Sequence, residues 1–267
     1  MFIKSETNDS VLIWQINRPE RRNALGTILA QELWEKTQHL QKSLETRQDV
    51  PGARGDSLRV LVIKATPTAS DKVPIWIAGG DLKELSELKV PAEGRKYAET
   101  MTEVCKVLQD LPIPVVALID GLALGGGIEL ALAADFRFAT ARSTFYFKQL
   151  ELGLATAYGS SQRLIQLVGL SKAMNWLLRA KRLTAAEALN AGLVHEIAAD
   201  AQGLERELAA FVAQIKQLPY AGVRAQKLML HGKGHDAADT LRDLGLFESL
   251  WMTDYHQQRL AEFLNKS

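Results

Sequence analysis

The stretch that most constrains this chain is LPIPVVALIDGLALGGGIEL, residues 111–130. Its continuous apolar run predicts a strand buried on both faces, and such a strand needs a covering layer on each side. The run ends in Gly125, Gly126 and Gly127, where a short helix, IELALAADF, begins with Glu129 in its first turn. Glycine permits positive φ and lets main chain approach a neighbour or a ligand closely. N–H groups at a helix start attract anions, or oxygens that become anionic. A second turn of this kind lies in IAGGD (77–81), which also ends a short strand, with a helix following at Leu82. Two backbone N–H groups from two such turns can converge on one carbonyl oxygen, the geometry of an oxyanion hole. The nucleotide-binding loops are excluded: the chain has no GxxxxGK followed by Ser or Thr, and no GxGxxG followed by an acid about 20 residues on.

The rest of the chain extends this pattern. VLIWQIN (11–17) and RVLVIKA (59–65) read as strands, and RFAT and TFYF as short strands on either side of Arg142. LAQELWEKTQHLQKSL (29–44) and residues 95–110 carry apolar residues at helical spacing. ETRQDVPGARGDS (45–57) reads as an exposed loop. Strands alternating with helices imply an α/β fold with a largely parallel sheet. From about residue 200 the pattern is helical only: LERELAAFVAQIKQL, AGVRAQKLML, AADTLRDLGLFESLW and YHQQRLAEFLNK. The chain therefore divides into a core, 1–200, and a C-terminal helical region, 201–267.

Composition removes several function classes. Lys plus Arg is 32 and Asp plus Glu is 31, a net charge of +1, so no global field draws the chain to nucleic acid or an anionic membrane. The N-terminus, MFIKSETNDS, lacks a signal-peptide core, and no apolar run reaches the roughly 18 residues of a membrane helix. The one cysteine, Cys105 in TEVCKVLQDL, sits on the apolar face of a helix and is expected to be a buried structural thiol. A chain without disulfides fits a reducing compartment, so a soluble, cytoplasmic protein is expected. HGKGH (231–235) is not expected to hold a metal, because two glycines weaken the helix its histidines would need. His195 is expected to pack on a strand or cap one.

Five segments in order carry a resemblance: NRPERRNAL (17–25), IAGGDLKEL (77–85), PVVALIDGLALGGGIELALAADFRFAT (114–140), GLATAYGSSQRL (153–164) and LTAAEALNAGLVHEI (183–197). Together they resemble the crotonase, or enoyl-CoA hydratase/isomerase, superfamily over nearly the whole chain. The resemblance implies a ClpP-like spiral of repeated ββα units whose C-terminal helices form trimers, often paired into hexamers. It implies an acyl-CoA thioester as substrate, with no cofactor beyond the coenzyme A that the substrate carries. Two main-chain N–H groups, which map onto Ala78 and Gly126, would hold the thioester oxygen and stabilise an enolate, with Gly125 beside them. Arg22 and Ala24 would contact the CoA nucleotide. Asp81 and Leu82 would offer backbone near the adenine, and Lys266 would reach a phosphate.

The match breaks at one catalytic position. Hydratases of the family flank a water with two glutamates. Glu129 occupies the first position, but the second falls on Gln149, in a register fixed by Phe145 and GSSQRL; Glu151 lies two residues away. An amide can orient a water or a substrate oxygen, but it cannot be a general acid. Glu129 alone would then carry one-base chemistry. Burial raises its pKa and the helix start lowers it, and the sequence leaves that contest open. Tyr158 stands where most hydratases have a small residue; it shapes the acyl pocket, supplies a phenol, or only packs. Beside hydratase/isomerase chemistry, two further readings stand: a decarboxylase or lyase acting on a malonyl-type or hydroxyacyl-CoA, and a CoA-thioester-binding subunit with little catalysis.

Overall fold

The structure is a computed structural model that describes residues 1–46, 58–68, 74–231 and 237–265. A hairpin of β1 (Ile3–Asn8) and β2 (Val11–Ile16) opens the chain, and α1 (Thr27–Thr46) follows. The chain then repeats one unit, a long strand, a short strand and helix. The first copy is β3 (Val60–Ala65), β4 (Ile75–Ile77), α2 (Leu82–Leu85) and α3 (Pro91–Asp110). The second is β5 (Val115–Ile119), β6 (Leu122–Leu124) and α4 (Gly126–Ala131). The third is β7 (Phe136–Thr140), β8 (Thr144–Tyr146), α5 (Ser160–Val168) and α6 (Leu170–Leu178). β9 (Arg182–Thr184), α7 (Ala185–Asn190) and β10 (Glu196–Ala198) follow. α8 (Ala201–Gln217), α9 (Tyr220–Leu230), α10 (Ala237–Leu250) and α11 (Asp254–Leu264) end the chain.

The first strand of each unit joins one sheet, ordered β1-β2-β3-β5-β7-β10, and the second joins another, ordered β4-β6-β8-β9. Apart from the antiparallel pairs β1–β2 and β8–β9, the strands run parallel. This is the expected spiral of ββα units. All five residues of β5 are buried because alternate side chains enter two separate cores. Val115, Ala117 and Ile119 face the main core with Leu61 and Ile63. Val116 and Leu118 face outward with Val60, Val62 and Phe138, and Leu204 and Leu208 of α8 cover them. So α8, although it begins the helical region at residue 201, is a layer of the sheet rather than part of an appendage.

β1 is a strand that residue patterning does not reveal. Only Ile3 of its six residues is buried, so the edge strand carries no alternation to read. Most of the loop expected at 45–57 lies outside the described residues. Cys105 is fully buried, and burial pushes its thiol up to about 12, so it is an inert packing group at neutral pH. His195 Nδ1 accepts from the Arg137 N–H at 3.2 Å, and burial pushes the ring down to about 4, which keeps it a neutral partner of β7. Among the described residues no helix is long and apolar enough to cross a membrane.

One buried ion pair fastens the helical region to the sheet. Lys227 of α9 donates to Asp135 Oδ2 at 2.6 Å and to the Ile113 carbonyl at 2.8 Å. Asp135 Oδ2 also accepts from Val115 N–H at 2.7 Å, at the start of β5. Removing one member of a buried pair leaves the other charge poorly compensated, typically at about 3–5 kcal/mol. Lys227→Met is therefore expected to lower the melting temperature by several degrees or more, and an unchanged thermal transition would show that the pair contributes nothing.

Candidate active site

The three glycines answer to three different neighbours. Gly125 has φ 52 and ψ −117, a conformation that residues with a side chain avoid, and its N–H is bonded to the Tyr146 carbonyl at 2.9 Å. A Cβ on Gly126 would stand 3.0 Å from the Tyr158 hydroxyl. A Cβ on Gly127 would stand 2.4 Å from the Ile77 carbonyl oxygen, so this glycine lets α4 close onto β4. The Gly126 N–H lies in the first turn of α4, where no intrahelical acceptor exists for it.

The second turn abuts the first. Gly79 has φ 82, and a Cβ there would be 2.8 Å from the Leu124 carbonyl oxygen and 3.0 Å from Gly126 N. Leu25 N–H donates to the Gly79 carbonyl at 2.6 Å, and Asp81 N–H donates to the Leu25 carbonyl at 3.0 Å. In such a parallel bridge the bracketed residue, Gly80, turns its own N–H away from Leu25. β4 pairs with β6 on that opposite side, where β6 leads into the triple-glycine turn. The expectation for Ala78 is corrected here. Its N–H donates to the Arg22 carbonyl at 3.1 Å, so it is committed within the protein, and the N–H turned to the glycine side belongs to Gly80. Positive φ at Gly79 reverses the peptide direction between the two, which a reading of motif positions does not register.

Glu129 is 3 % exposed. Its Oε1 accepts from the Ala157 N–H at 2.9 Å and from the Ser160 hydroxyl at 2.8 Å. Burial decides the contest over its pKa and pushes the carboxyl up to about 7, against the opposing pull of Ser160, Ala157, Gln149 and Arg163. Gln149 lies on a short 3-10 turn, Gln149–Leu152. Both amide atoms are buried without a hydrogen-bond partner among the described residues. The amide stands near enough to favour a charged Glu129 but stops short of a formed bond. Glu151 is exposed and accepts from the Tyr146 hydroxyl, so the register that brings residue 149 to the site is the one the structure adopts.

Tyr158 is 4 % exposed, and its hydroxyl is 2.8 Å from that of Tyr97, which donates to the Leu25 carbonyl at 2.8 Å. Burial raises both phenols well above their usual range, so both stay neutral. Five site groups were not singled out from the sequence: Gly80, Tyr97, Ala157, Ser160 and Arg163. The two anchors of Glu129 lie in and beside the quoted GSSQRL turn, which was signal enough to find them. Tyr97 is brought in by the packing of α3 and carries no local signal.

On the expected CoA side, Arg22 is exposed, in a left-handed turn with φ 53. Ala24 is buried, its N–H bonded to the Arg21 carbonyl at 3.0 Å and its carbonyl to Arg18 at 3.0 Å. Asp81 is a structural cap rather than a source of backbone contacts. Its N–H goes to Leu25, its carbonyl accepts from Leu85 at 2.8 Å, and its carboxylate caps α2 and pairs with Arg18 at 3.2 Å and Arg21 at 2.7 Å. Leu82 is 60 % exposed at the mouth of this turn. Lys266 lies outside the described residues, as does HGKGH beyond His231, whose ring is 3.0 Å from Asp135. No cluster of three or more metal-ligating side chains occurs among the described residues.

Comparison with known proteins places this arrangement. The family model for enoyl-CoA hydratase/isomerase matches residues 6–267. An enoyl-CoA isomerase/hydratase of Mycosarcoma maydis is 35 % identical over 185 residues, 68 % of this chain and 63 % of that protein. A probable enoyl-CoA hydratase of Mycobacterium bovis is 32 % identical over 91 % of this chain and 88 % of its own length. The solved structure of an enoyl-CoA hydratase from Bacillus anthracis superposes with a TM-score of 0.85 over 100 % of this chain and 97 % of that one, at 24 % identity. The chain belongs to the enoyl-CoA hydratase/isomerase family, within the crotonase superfamily. It is an acyl-CoA-processing enzyme of the hydratase/isomerase type.

Proposed function

We propose that this enzyme binds an enoyl-CoA thioester and hydrates or isomerises it through an enolate, with Glu129 as the one proton-transfer group. The observation that carries the reading is the Glu129 carboxyl, buried, anchored through one oxygen, and pushed by burial up to about 7. A base poised near the working pH is what general catalysis requires. The thioester oxygen would sit between the N–H groups of Gly80 and Gly126, which form the oxyanion hole. Isomerisation needs Glu129 to take a proton beside the double bond and return it elsewhere. For hydration, Glu129 takes a proton from water as the hydroxyl adds to the β-carbon, then returns that proton to the α-carbon of the enolate. Gln149 orients the water or the new hydroxyl through its unpartnered amide.

The substrate's coenzyme A would enter past Arg22 and Leu82, and the chemistry uses no further cofactor. The assembly we propose is a trimer, or a hexamer of two trimers, formed through residues 201–267. Leu241, Phe247 and Phe263 of α10 and α11 are each more than half exposed, which supports burial against other copies. The lone buried cysteine supports a cytoplasmic setting.

Mass spectrometry of crotonyl-CoA and butyryl-CoA after incubation with the protein in heavy water tests the function. One added water on crotonyl-CoA is the expected result. Deuterium uptake next to the thioester without hydration would restrict the enzyme to isomerisation. Carbon dioxide release from ethylmalonyl-CoA with no reaction of either probe would replace this reading with decarboxylation. Tight CoA binding with no turnover of any thioester would replace it with a binding role.

A further inference from the structure

Two phenols join the three turns that make up the site. Tyr97, on α3, donates its single hydroxyl hydrogen to the Leu25 carbonyl at 2.8 Å. That carbonyl is also the acceptor for Asp81 N–H, the bond that closes the bracket around Gly80. A Cβ on Gly80 would lie 4.0 Å from the Tyr97 hydroxyl. With its hydrogen so engaged, Tyr97 accepts the 2.8 Å hydrogen bond it shares with Tyr158, and Tyr158 is the donor. The two rings meet edge to face, 6.3 Å between centroids. The Tyr158 ring in turn lies against Gly126, with Cε2 3.1 Å and the hydroxyl 3.0 Å from the position of a Cβ there. The backbone of Tyr158 sits between Ala157 and Ser160, the two residues whose donors hold Glu129 Oε1. Its carbonyl accepts from the buried Arg163 guanidinium, which is tied by a second nitrogen to Gln109 at 2.6 Å.

We propose that Tyr97 and Tyr158 act as one positioning element, a hydroxyl-linked strut that sets the spacing between the Gly80 turn, the Gly126 turn and the turn that anchors Glu129. The inference rests on the oxyanion role proposed above for the two glycines. It follows from connectivity. A shift of Tyr158 moves a ring against one donor, loosens a bond chain that ends on the bracket of the other, and disturbs the segment that holds the base. Neither phenol ionises in the working range, so the pair has no proton to exchange with substrate and acts through geometry alone. Side chains that merely fill space could be replaced independently. Members of one hydrogen-bonded chain cannot, because breaking either end breaks the same connection.

The test is a double-mutant cycle of Tyr97→Phe, Tyr158→Phe and the double variant in the full chain. The readouts are kcat and KM with the thioester the wild type turns over, and amide hydrogen exchange in peptides covering 76–85 and 122–132. Phenylalanine keeps the rings, and Leu25 retains its bond from Asp81, so folding is preserved. Each single variant is expected to lose about tenfold in kcat with KM changed by less than about twofold, one hydrogen bond's worth of positioning. The double variant should be no worse than the weaker single, and exchange should rise in both peptides in every variant. Unchanged kcat, a rise in KM alone, or losses that multiply to roughly a hundredfold in the double variant would overturn the proposal. Should the wild type turn over no thioester, the function proposed above fails, and the strut is judged by exchange. A rise in both peptides from either substitution supports it, and a rise in one or none overturns it.

Discussion

Glu129→Gln is expected to reduce turnover by roughly 100- to 10,000-fold, the usual worth of a positioned general base. The substitution is conservative at the point of attachment. An amide oxygen can still accept from the Ala157 N–H and the Ser160 hydroxyl, so the side chain keeps its place and only the proton acceptor is lost. Wild-type kcat/KM should rise about tenfold per pH unit below pH about 7 and level off above it, because the carboxyl must be ionised to act. Stability should move in the opposite direction. The folded carboxyl titrates near 7 against the ordinary 4.5, so the proton bound on folding stabilises fully below pH 4.5, and that stabilisation is lost as pH rises through 7. A shift of this size corresponds to about 3 kcal/mol. The glutamine variant carries no such charge, so its melting temperature relative to wild type should increase between pH 5 and pH 8. Thermal scans at both pH values and a pH–rate profile make the comparison. Wild-type turnover in the variant, or a profile flat from pH 5 to 8, would remove Glu129 from the mechanism.

The parts of the site that were legible in the sequence are those fixed by backbone chemistry over short distances. Three consecutive glycines at the end of an apolar run mark a tight turn, although the run itself divides into β5 and the short, half-exposed β6, and Glu129 follows from the helix that the turn begins. The register that places Gln149 at the site was legible too, because Phe145 and GSSQRL pin it on both sides, and the exposure of Glu151 agrees. What sequence could not supply was direction. Ala78 and Gly80 are both main-chain donors in one turn, and which of them faces the glycines depends on a single φ of 82 at Gly79. Nor could it supply distant partners. Tyr97 precedes Tyr158 by 61 residues, and only the path of α3 across the site brings their hydroxyls together. Asp81 misled for a related reason. Its position in the motif suggested backbone contact with a ligand, whereas its N–H is taken by the Leu25 carbonyl, its carbonyl by the Leu85 N–H of the helix it starts, and its carboxylate by two arginines and that helix start.

The same directional argument makes the Gly126 donor testable apart from the space around it. Gly126→Pro deletes the N–H, and proline is well tolerated at the first position of a helix, where that N–H has no intrahelical acceptor. Gly126→Ala keeps the N–H and adds a Cβ 3.0 Å from the Tyr158 hydroxyl, a contact that a shift of a few tenths of an ångström relieves. Both substitutions place a Cβ at that position, so the ratio of their rates reads the exchange of the N–H for the proline ring carbon on the same nitrogen. The alanine variant is expected to lose activity modestly, through displacement of the phenol. The proline variant is expected to fall a further roughly 100- to 1,000-fold in kcat, the typical cost of one oxyanion donor. Calorimetric affinity for free coenzyme A should stay near that of the wild type in both, because coenzyme A lacks the thioester oxygen that Gly126 would bind. Equal rates for the two variants would mean that Gly126 is small only to make room for Tyr158, and the oxyanion would then need another donor. A further loss confined to the proline variant would mean that the glycine serves both neighbours at once, with its bare Cα toward the phenol and its N–H toward the thioester.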